Sequence, residues 1–285
     1  MVLFGRLIYN RPKMYHFLFD AYESYRSRLD DIAVVHEFLE EVPLKMGLRT
    51  VMPPFVLPYY NGIVPEDCGI SAFVFLEGGH FTIHTFSYRG VFFSDLLYPQ
   101  AFDTEKLQAY IDEAFPAEKV VHDFVERKPG FHLDRPAIDR DKDFGPHLLL
   151  DLEDYRGPSN LDDLFAYFDT LPYAIGMTPI MRPYGVRSAS GKDEVVSILT
   201  MIAESHISLH YFPGRGTAYF DIFSCSFFDT KKVSQELRRG LTGTITAEKL
   251  ISRGSKYKDF REERKDKVRY SRQWLKHAHG PHHKA

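Results

Sequence analysis

Ser71-Ala-Phe-Val-Phe-Leu-Glu-Gly-Gly-His80-Phe-Thr-Ile-His84-Thr-Phe86 and Ser197-Ile-Leu-Thr-Met-Ile-Ala-Glu-Ser-His206-Ile-Ser-Leu-His210-Tyr-Phe212 read as two versions of one segment, 126 positions apart. Ser71 falls on Ser197, His80 on His206, His84 on His210 and Phe86 on Phe212. The match continues without a gap through Arg89/Arg215, Gly90/Gly216 and Asp95/Asp221, giving 7 identities over the 29 columns from Ser71 to Pro99. A fixed-offset repeat of this kind decides the fold before any single element does. A second anchor sets Phe4-Gly5-Arg6-Leu7 on Phe144-Gly145-Pro146-His147 at an offset of 140, so the first copy is expected to be longer by 140 − 126 = 14 residues before its central hairpin. The expected organisation is a first copy over 1–142, a second over 143–251 and a C-terminal tail over 252–285, with the polar stretch Arg135–Asp143 as the joint.

Each copy carries the same order of elements. In the second, a strand is expected at Leu148–Leu152 and a helix over Leu161–Phe168 behind Asn160. Runs rich in β-branched and aromatic residues follow at Val195–Ala203, Ile207–Phe212 and Ala218–Ser226. A helix over Thr230–Arg239 starts behind Asp229, and a last strand runs from Gly243 to Ile251. In the first copy Phe73–Leu76, Phe81–Phe86 and Val91–Leu97 match the three central strands, and Asp103 opens the matching helix. Helices grouped around antiparallel strands, twice over, predict an α+β fold: two similar sheets packed as an α/β/β/α sandwich.

The 285 residues suit two halves of ordinary domain size, and 44% hydrophobic with 26% charged residues describes a globular chain. A net charge of −3 gives no whole-chain case for nucleic acid. No apolar run approaches the roughly 18 residues of a membrane span, and the start lacks the pattern of a signal peptide. Cys68 and Cys225 cannot form a disulfide framework, so a reducing cytoplasm is expected. The tail carries 11 Lys/Arg against 4 Asp/Glu, with His277, His279, His282 and His283. A metal- or anion-binding tail is the functional reading and a solvated tail the plain one, which charge runs of this kind usually are. The expected partner is a small-molecule substrate, with homo-oligomerisation left open.

The second copy also holds Ala203-Glu204-Ser205-His206-Ile207-Ser208-Leu209-His210, then Asp221-Ile222-Phe223-Ser224-Cys225. Here the chain resembles the S-adenosylmethionine decarboxylases, pyruvoyl enzymes of polyamine synthesis. In that family Glu-Ser-His-x-x-x-His marks a self-cleavage site, with a Cys fifteen residues beyond the last His; His210 and Cys225 have that spacing, and Ser197 falls at a further family position. The resemblance covers Phe144–Ile251 best and reaches the first copy through the repeat. It implies cleavage between Glu204 and Ser205, a pyruvoyl group made from Ser205, His210 as base, Ser197 holding the oxyanion-like intermediate, and Cys225 as proton donor. A decarboxylase needs an electron sink, and a carbonyl forming a Schiff base with the substrate amine provides one.

Read singly, these residues are unremarkable: a Ser beside a Glu is usually a turn residue, and a lone Cys on an apolar strand a small core residue. The two His-x-x-x-His pairs do not make a metal site, because i and i+4 in a strand stand about 13 Å apart. In the first copy Gly79, Gly78 and Pro99 replace Ser205, Glu204 and Cys225, so one site per chain is expected, with His84 and Ser71 as remnants or as parts of a shared interface. Phe212 offers an aromatic face for adenine or a sulfonium, whereas Gly214 stands where relatives carry an acid. The expected activity is decarboxylation of S-adenosylmethionine, supplying the aminopropyl donor for spermidine. A basic amino acid (ornithine or arginine) is the alternative substrate, and a non-catalytic homologue binding a partner the third reading.

Overall fold

Four caps start the principal helices. Asp31, Asp103, Asn160 and Asp229 each accept backbone N–H groups from the first turn, satisfying donors that a helix start leaves free. The computed structural model describes residues 13–59, 64–203, 205–255, 257–259, 261–262 and 265. Its first half runs β1 (Met14–Ser24), α1 (Arg26–Leu29), α2 (Ile32–Lys45), β2 (Phe55–Tyr59), β3 (Gly69–Leu76), β4 (Gly79–Phe86), β5 (Val91–Tyr98), α3 (Thr104–Ala114) and β6 (Ala117–Arg127). The second runs β7 (Gly145–Glu153), α4 (Leu161–Ala174), β8 (Tyr184–Ser190), β9 (Asp193–Ile202), β10 (Ser205–Phe212), β11 (Thr217–Phe223), α5 (Thr230–Gly240) and β12 (Thr244–Arg253).

The strands form two six-stranded antiparallel sheets, ordered β2-β3-β4-β5-β1-β6 and β12-β7-β11-β10-β9-β8. Outer-face residues such as Phe81 and Ile83 pack under α2 and α3, and Ile207 and Leu209 under α4 and α5. The inner faces meet each other, which gives the α/β/β/α sandwich expected from the repeat. Most central strands are buried along their whole length because both faces are covered. Among the described residues, no helix is long and apolar enough to cross a membrane.

The register between the halves differs from the offset expected at their starts. His16 pairs with Leu97 in the first sheet, and His147 with Phe223 in the second. Leu97 and Phe223 are 126 apart, whereas His16 and His147 are 131 apart. The true match is therefore Met14-Tyr15-His16-x-x-x-Asp20 on Gly145-Pro146-His147-x-x-x-Asp151, and the second half is shorter by 131 − 126 = 5 residues. Phe4–Leu7 lie outside the described residues. The edge strands β2 and β8, short on apolar alternation, are additions to the expected set.

The sheets are joined by a reciprocal exchange of arginines. Arg127 ends β6, and its guanidinium enters the second half: Nε and Nη2 donate to Asp151 Oδ1, and Nη1 to Asp221 Oδ1 at 2.6 Å. Arg253 ends β12 and does the reverse, donating to Asp20 Oδ1 at 2.5 Å and Asp95 Oδ1 at 2.6 Å. Each also donates to two backbone carbonyls of the opposite half, Leu150 and Phe220 for Arg127, Phe19 and Ser94 for Arg253. Both arginines are wholly buried. Removing one partner of such a group leaves uncompensated charge in the interior, at a cost of about 3–5 kcal/mol. Arg253→Met, which keeps the stem but strands Asp20 and Asp95, should lower the unfolding free energy by about that amount in urea denaturation. An unchanged midpoint would show the exchange to be energetically neutral.

Candidate functional site

Strand β10 sorts its residues by parity. Ile207, Leu209 and Tyr211 pack under the helices, so His206, Ser208, His210 and Phe212 lie on the face between the sheets. Ser205 opens the strand, fully buried, and its Oγ accepts the backbone N–H of Cys225 at 2.8 Å. The Cys225 thiol is half-buried and donates to the Ala203 carbonyl at 3.5 Å. The strand-end pairing His206↔Phe223 brings Ser205 and Cys225 side by side. Glu204 lies outside the described residues.

His210 is elsewhere. Five residues along an extended strand is roughly 16–17 Å, and odd spacing puts Ser205 and His210 on opposite faces. The Nδ1 of His210 faces Ser197 Oγ at 2.8 Å and its Nε2 faces His80 Nδ1 at 2.7 Å. The structure thus joins Ser197 with His210, and Ser205 with Cys225, but does not bring the two pairs together. The histidine beside the cleavage motif comes from the other half. His84 Nε2 lies 2.9 Å from Nδ1 of His206, the residue following Ser205, and His84 Nδ1 lies 2.9 Å from Ser71 Oγ.

Two ends of the interface are therefore mirror images. At one, His84, held by Ser71, meets His206, the residue after Ser205. At the other, His210, held by Ser197, meets His80, the residue after Gly79. The second end is closed to a nucleophile. A Cβ on Gly79 would lie 1.8 Å from the Leu97 carbonyl oxygen, and one on Gly78 would lie 2.7 Å from Pro99. Only the first end has the residues a pyruvoyl precursor needs. The signal for the exchange was available in the first copy, which kept Ser71 and His84 while losing Ser, Glu and Cys.

Phe212 belongs to the closed end, which corrects its expected place at the substrate. It is 1% exposed, packs with Met14, Leu97, Val195 and Tyr219, and lies 3.3 Å from a Cβ built on Gly78. Gly214 follows it there, and its counterpart at the Ser205 end is Tyr88, also without a carboxylate. The aromatic residues near Cys225 are Phe86, Phe93, Phe144, Phe223 and Tyr257, with Phe144 and Tyr257 edge-to-face at 5.2 Å.

Six buried histidines line the interface: His16, His80, His84, His147, His206 and His210. Burial pushes all of them below the ordinary range, His84 to about 3 with Arg253 and His80 adding to the effect. Burial outweighs Arg127 at Asp221 and raises it to about 7. No group of three or more His, Cys, Asp or Glu among the described residues has the geometry of a metal site.

A family model described as S-adenosylmethionine decarboxylase matches residues 15–128 and 146–254, one segment in each half and each ending just past its buried arginine. The match spans well over half of the chain, which belongs to the S-adenosylmethionine decarboxylase family. That is a family of pyruvoyl-dependent decarboxylases. Among solved structures, the adenosylmethionine decarboxylase of Aquifex aeolicus is similar at 19% identity and TM-score 0.35, covering 44% of this chain and 97% of that one. An unknown protein from Galdieria sulphuraria is similar at 9% identity and TM-score 0.21, covering 84% of this chain and 98% of that one. No curated protein matches the chain.

The buried histidines make the fold acid-sensitive. Their folded pKa values lie below the unfolded value near 6.5, so the unfolded chain binds more protons as pH falls past that point. Asp95, Asp151 and Asp221, raised by burial, act in the opposite sense between about pH 4 and 7. With all six buried histidines shifted this way and Asp20 lowered as well, stability should be highest near neutrality and drop from pH 7 to pH 5. Urea midpoints measured at pH 8, 7, 6 and 5 check this, and a midpoint that rises toward pH 5 would contradict it.

Proposed function

We propose that the chain is a self-processing, pyruvoyl-dependent decarboxylase of S-adenosylmethionine whose single site is shared by the two halves. The reading is carried by the unequal mirror ends: one holds Ser205 bonded to the Cys225 backbone with Ser71–His84 opposite, the other is filled by Gly78, Gly79 and Pro99. Ser205 and Cys225 keep the roles that the resemblance implies. The roles of base and oxyanion holder, expected at His210 and Ser197, fall in this reading to His84 and Ser71.

Ser205 Oγ attacks the carbonyl carbon of Glu204 while its proton passes to the departing amide nitrogen, which converts the peptide bond to an ester. The Cys225 N–H, already on Oγ, favours that oxygen in the later elimination, when the Cβ–Oγ bond breaks and Oγ leaves as part of the Glu204 carboxylate. His84 takes the α-proton of Ser205, and the Glu204 carboxylate leaves as the new C-terminus of residues 1–204. Water then adds to the remaining residue and ammonia departs, leaving pyruvate at the head of residues 205–285. That group supplies the carbonyl electron sink for loss of CO₂. Cys225 Sγ holds the proton returned to the product carbon, a task open to a thiol next to Ser205. Two cysteines, too few for a disulfide framework, support a cytoplasmic setting for this activity.

S-Adenosylmethionine is the favoured substrate because a flat base and a sulfonium both gain from aromatic faces, at about 0.5–2 kcal/mol each, and Phe144 and Tyr257 stand near Cys225. The missing acid at Tyr88 and Gly214 favours a simple basic amino acid as the second reading.

Intact-mass measurement of the denatured protein should find residues 1–204 and a blocked chain beginning at 205. Ser205→Ala should stay whole, His84→Ala should cleave at least a hundredfold more slowly, and His210→Ala should still cleave. A wild-type chain that stays uncut on long incubation leaves only the partner-binding homologue. Loss of cleavage in His210→Ala with none in His84→Ala would return the base to the second half.

With processed protein, labelled CO₂ should be released from S-adenosylmethionine and not from ornithine, arginine or lysine. Cys225→Ala should cleave yet lose turnover at least tenfold, whereas Cys68→Ser should retain it. Turnover of arginine or ornithine alone would replace the substrate and keep the mechanism.

A further inference from the structure

His206 is held against His84 more closely than packing requires. The two rings are parallel within 6°, their centroids are 5.1 Å apart, and Nδ1 of His206 lies 2.9 Å from Nε2 of His84. The other nitrogen of His206, Nε2, is buried without a hydrogen-bond partner. Around the pair stand Ser71 from β3, His80 from β4, His147 from β7, Phe223 from β11 and Arg253 from β12.

A neutral imidazole carries one proton, so the line Ser71–His84–His206 has two neutral arrangements. In one, Ser71 donates to His84 Nδ1, His84 Nε2–H donates to His206 Nδ1, and His206 keeps its proton on Nε2. In the other, His206 Nδ1–H donates to His84 Nε2, and His84 Nδ1–H donates to Ser71 Oγ. Uptake of one more proton gives a single outcome. One proton lies on His84 Nδ1 toward Ser71, one in the gap between the rings, and one on His206 Nε2. The positive charge is then shared through an N–H···N bond instead of resting on one ring in a dry interior, where an unshared charge is strongly disfavoured.

We propose that His206 is a positioning residue for self-processing: it fixes the ring and proton arrangement of His84 and accepts from Nε2–H when His84 takes up the Ser205 α-proton. This rests on the reading of His84 as the base. The closed end supplies an internal control, because His80 stands in the same relation to His210, equally buried, but follows Gly79. A structural role would make the two histidines equivalent, whereas a positioning role attaches only to the one beside Ser205.

The test follows cleavage of the full chain after cell-free synthesis. His206→Leu should slow the rate at least tenfold. His206→Asn, whose amide can accept at the place of Nδ1, should recover most of it, and His80→Leu should stay within about twofold of wild type. Wild-type rate in His206→Leu, or an equal loss in His80→Leu, overturns the proposal. A second measurement needs no cleavage: in uncut Ser205→Ala, imidazole ¹⁵N spectra should show His84 fixed as the Nε2–H tautomer, with a pattern that His206→Leu changes and His206→Asn keeps. A His84 averaging both tautomers, or one indifferent to His206→Leu, also overturns it. An uncut wild-type chain with a fixed His84 tautomer would count against the processing reading alone.

Discussion

Burying an arginine is the most demanding event in this fold, and the chain does it twice in a linked way. Arg127 and Arg253 are the last residues of their edge strands, and each finds its carboxylates only in the other sheet. Neither half can satisfy its own arginine, and Asp95, Asp151 and Asp221 meet an arginine only from the other half. A charge left alone in such a place costs several kcal/mol, so a half-formed sandwich is penalised from both sides. The geometry is also specific. A guanidinium that must meet two carboxylates and two backbone carbonyls admits little sliding of one sheet over the other. The clamps thereby fix the relative register of β4 and β10, and with it the pairing of His84 with His206 and His80 with His210.

That register explains the division of chemistry. A two-fold arrangement of two copies produces two identical ends, each built from the nucleophile strand of one copy and the serine–histidine pair of the other. The first copy lacks the nucleophile at one end, while its Ser71 and His84 lie at the opposite end. In the proposed reading the first half can therefore carry Gly78, Gly79 and Pro99 in place of Glu, Ser and Cys while Ser71 and His84 stay in use. The packing at Gly79, where the Leu97 carbonyl oxygen occupies the place a Cβ would take, shows how far the silent end has closed.

The repeat, the helix caps and the central strands were legible from local chemistry: Asn160, Asp103 and Asp229 cap where expected, and the three aligned strands appear in both halves. The start of the repeat was not. A Phe-Gly pair at residues 4–5 resembles Phe144-Gly145, but strand pairing matches His16 and Asp20 with His147 and Asp151, two polar positions inside otherwise apolar runs. Arg127 and Arg253 were equally hard to read, because a charged residue at a strand end ordinarily faces water. The strand arithmetic that rules out a metal between His206 and His210 also separates Ser205 from His210 along the strand, and odd spacing puts them on opposite faces.

The two clamps are not equal. Asp20 receives a second arginine, Arg135, at 3.0 Å, together with the Gly254 N–H at 2.9 Å. Burial would raise its pKa, but Arg253 and Arg135 overcome that and hold it below the usual carboxylate range. Asp151 and Asp221 share Arg127, and burial leaves both raised. Arg135 belongs to the segment joining the halves and also donates to the Ser252 carbonyl, so the linker itself completes the clamp around Asp20. The clamp that draws on the linker is the one made by Arg253, whose charge also bears on His84 and His206. Joining two copies in one chain thus does more than hold them close. It provides a third arginine that only one of the two clamps uses, and that asymmetry is available to a single chain but not to two identical copies meeting around an exact axis.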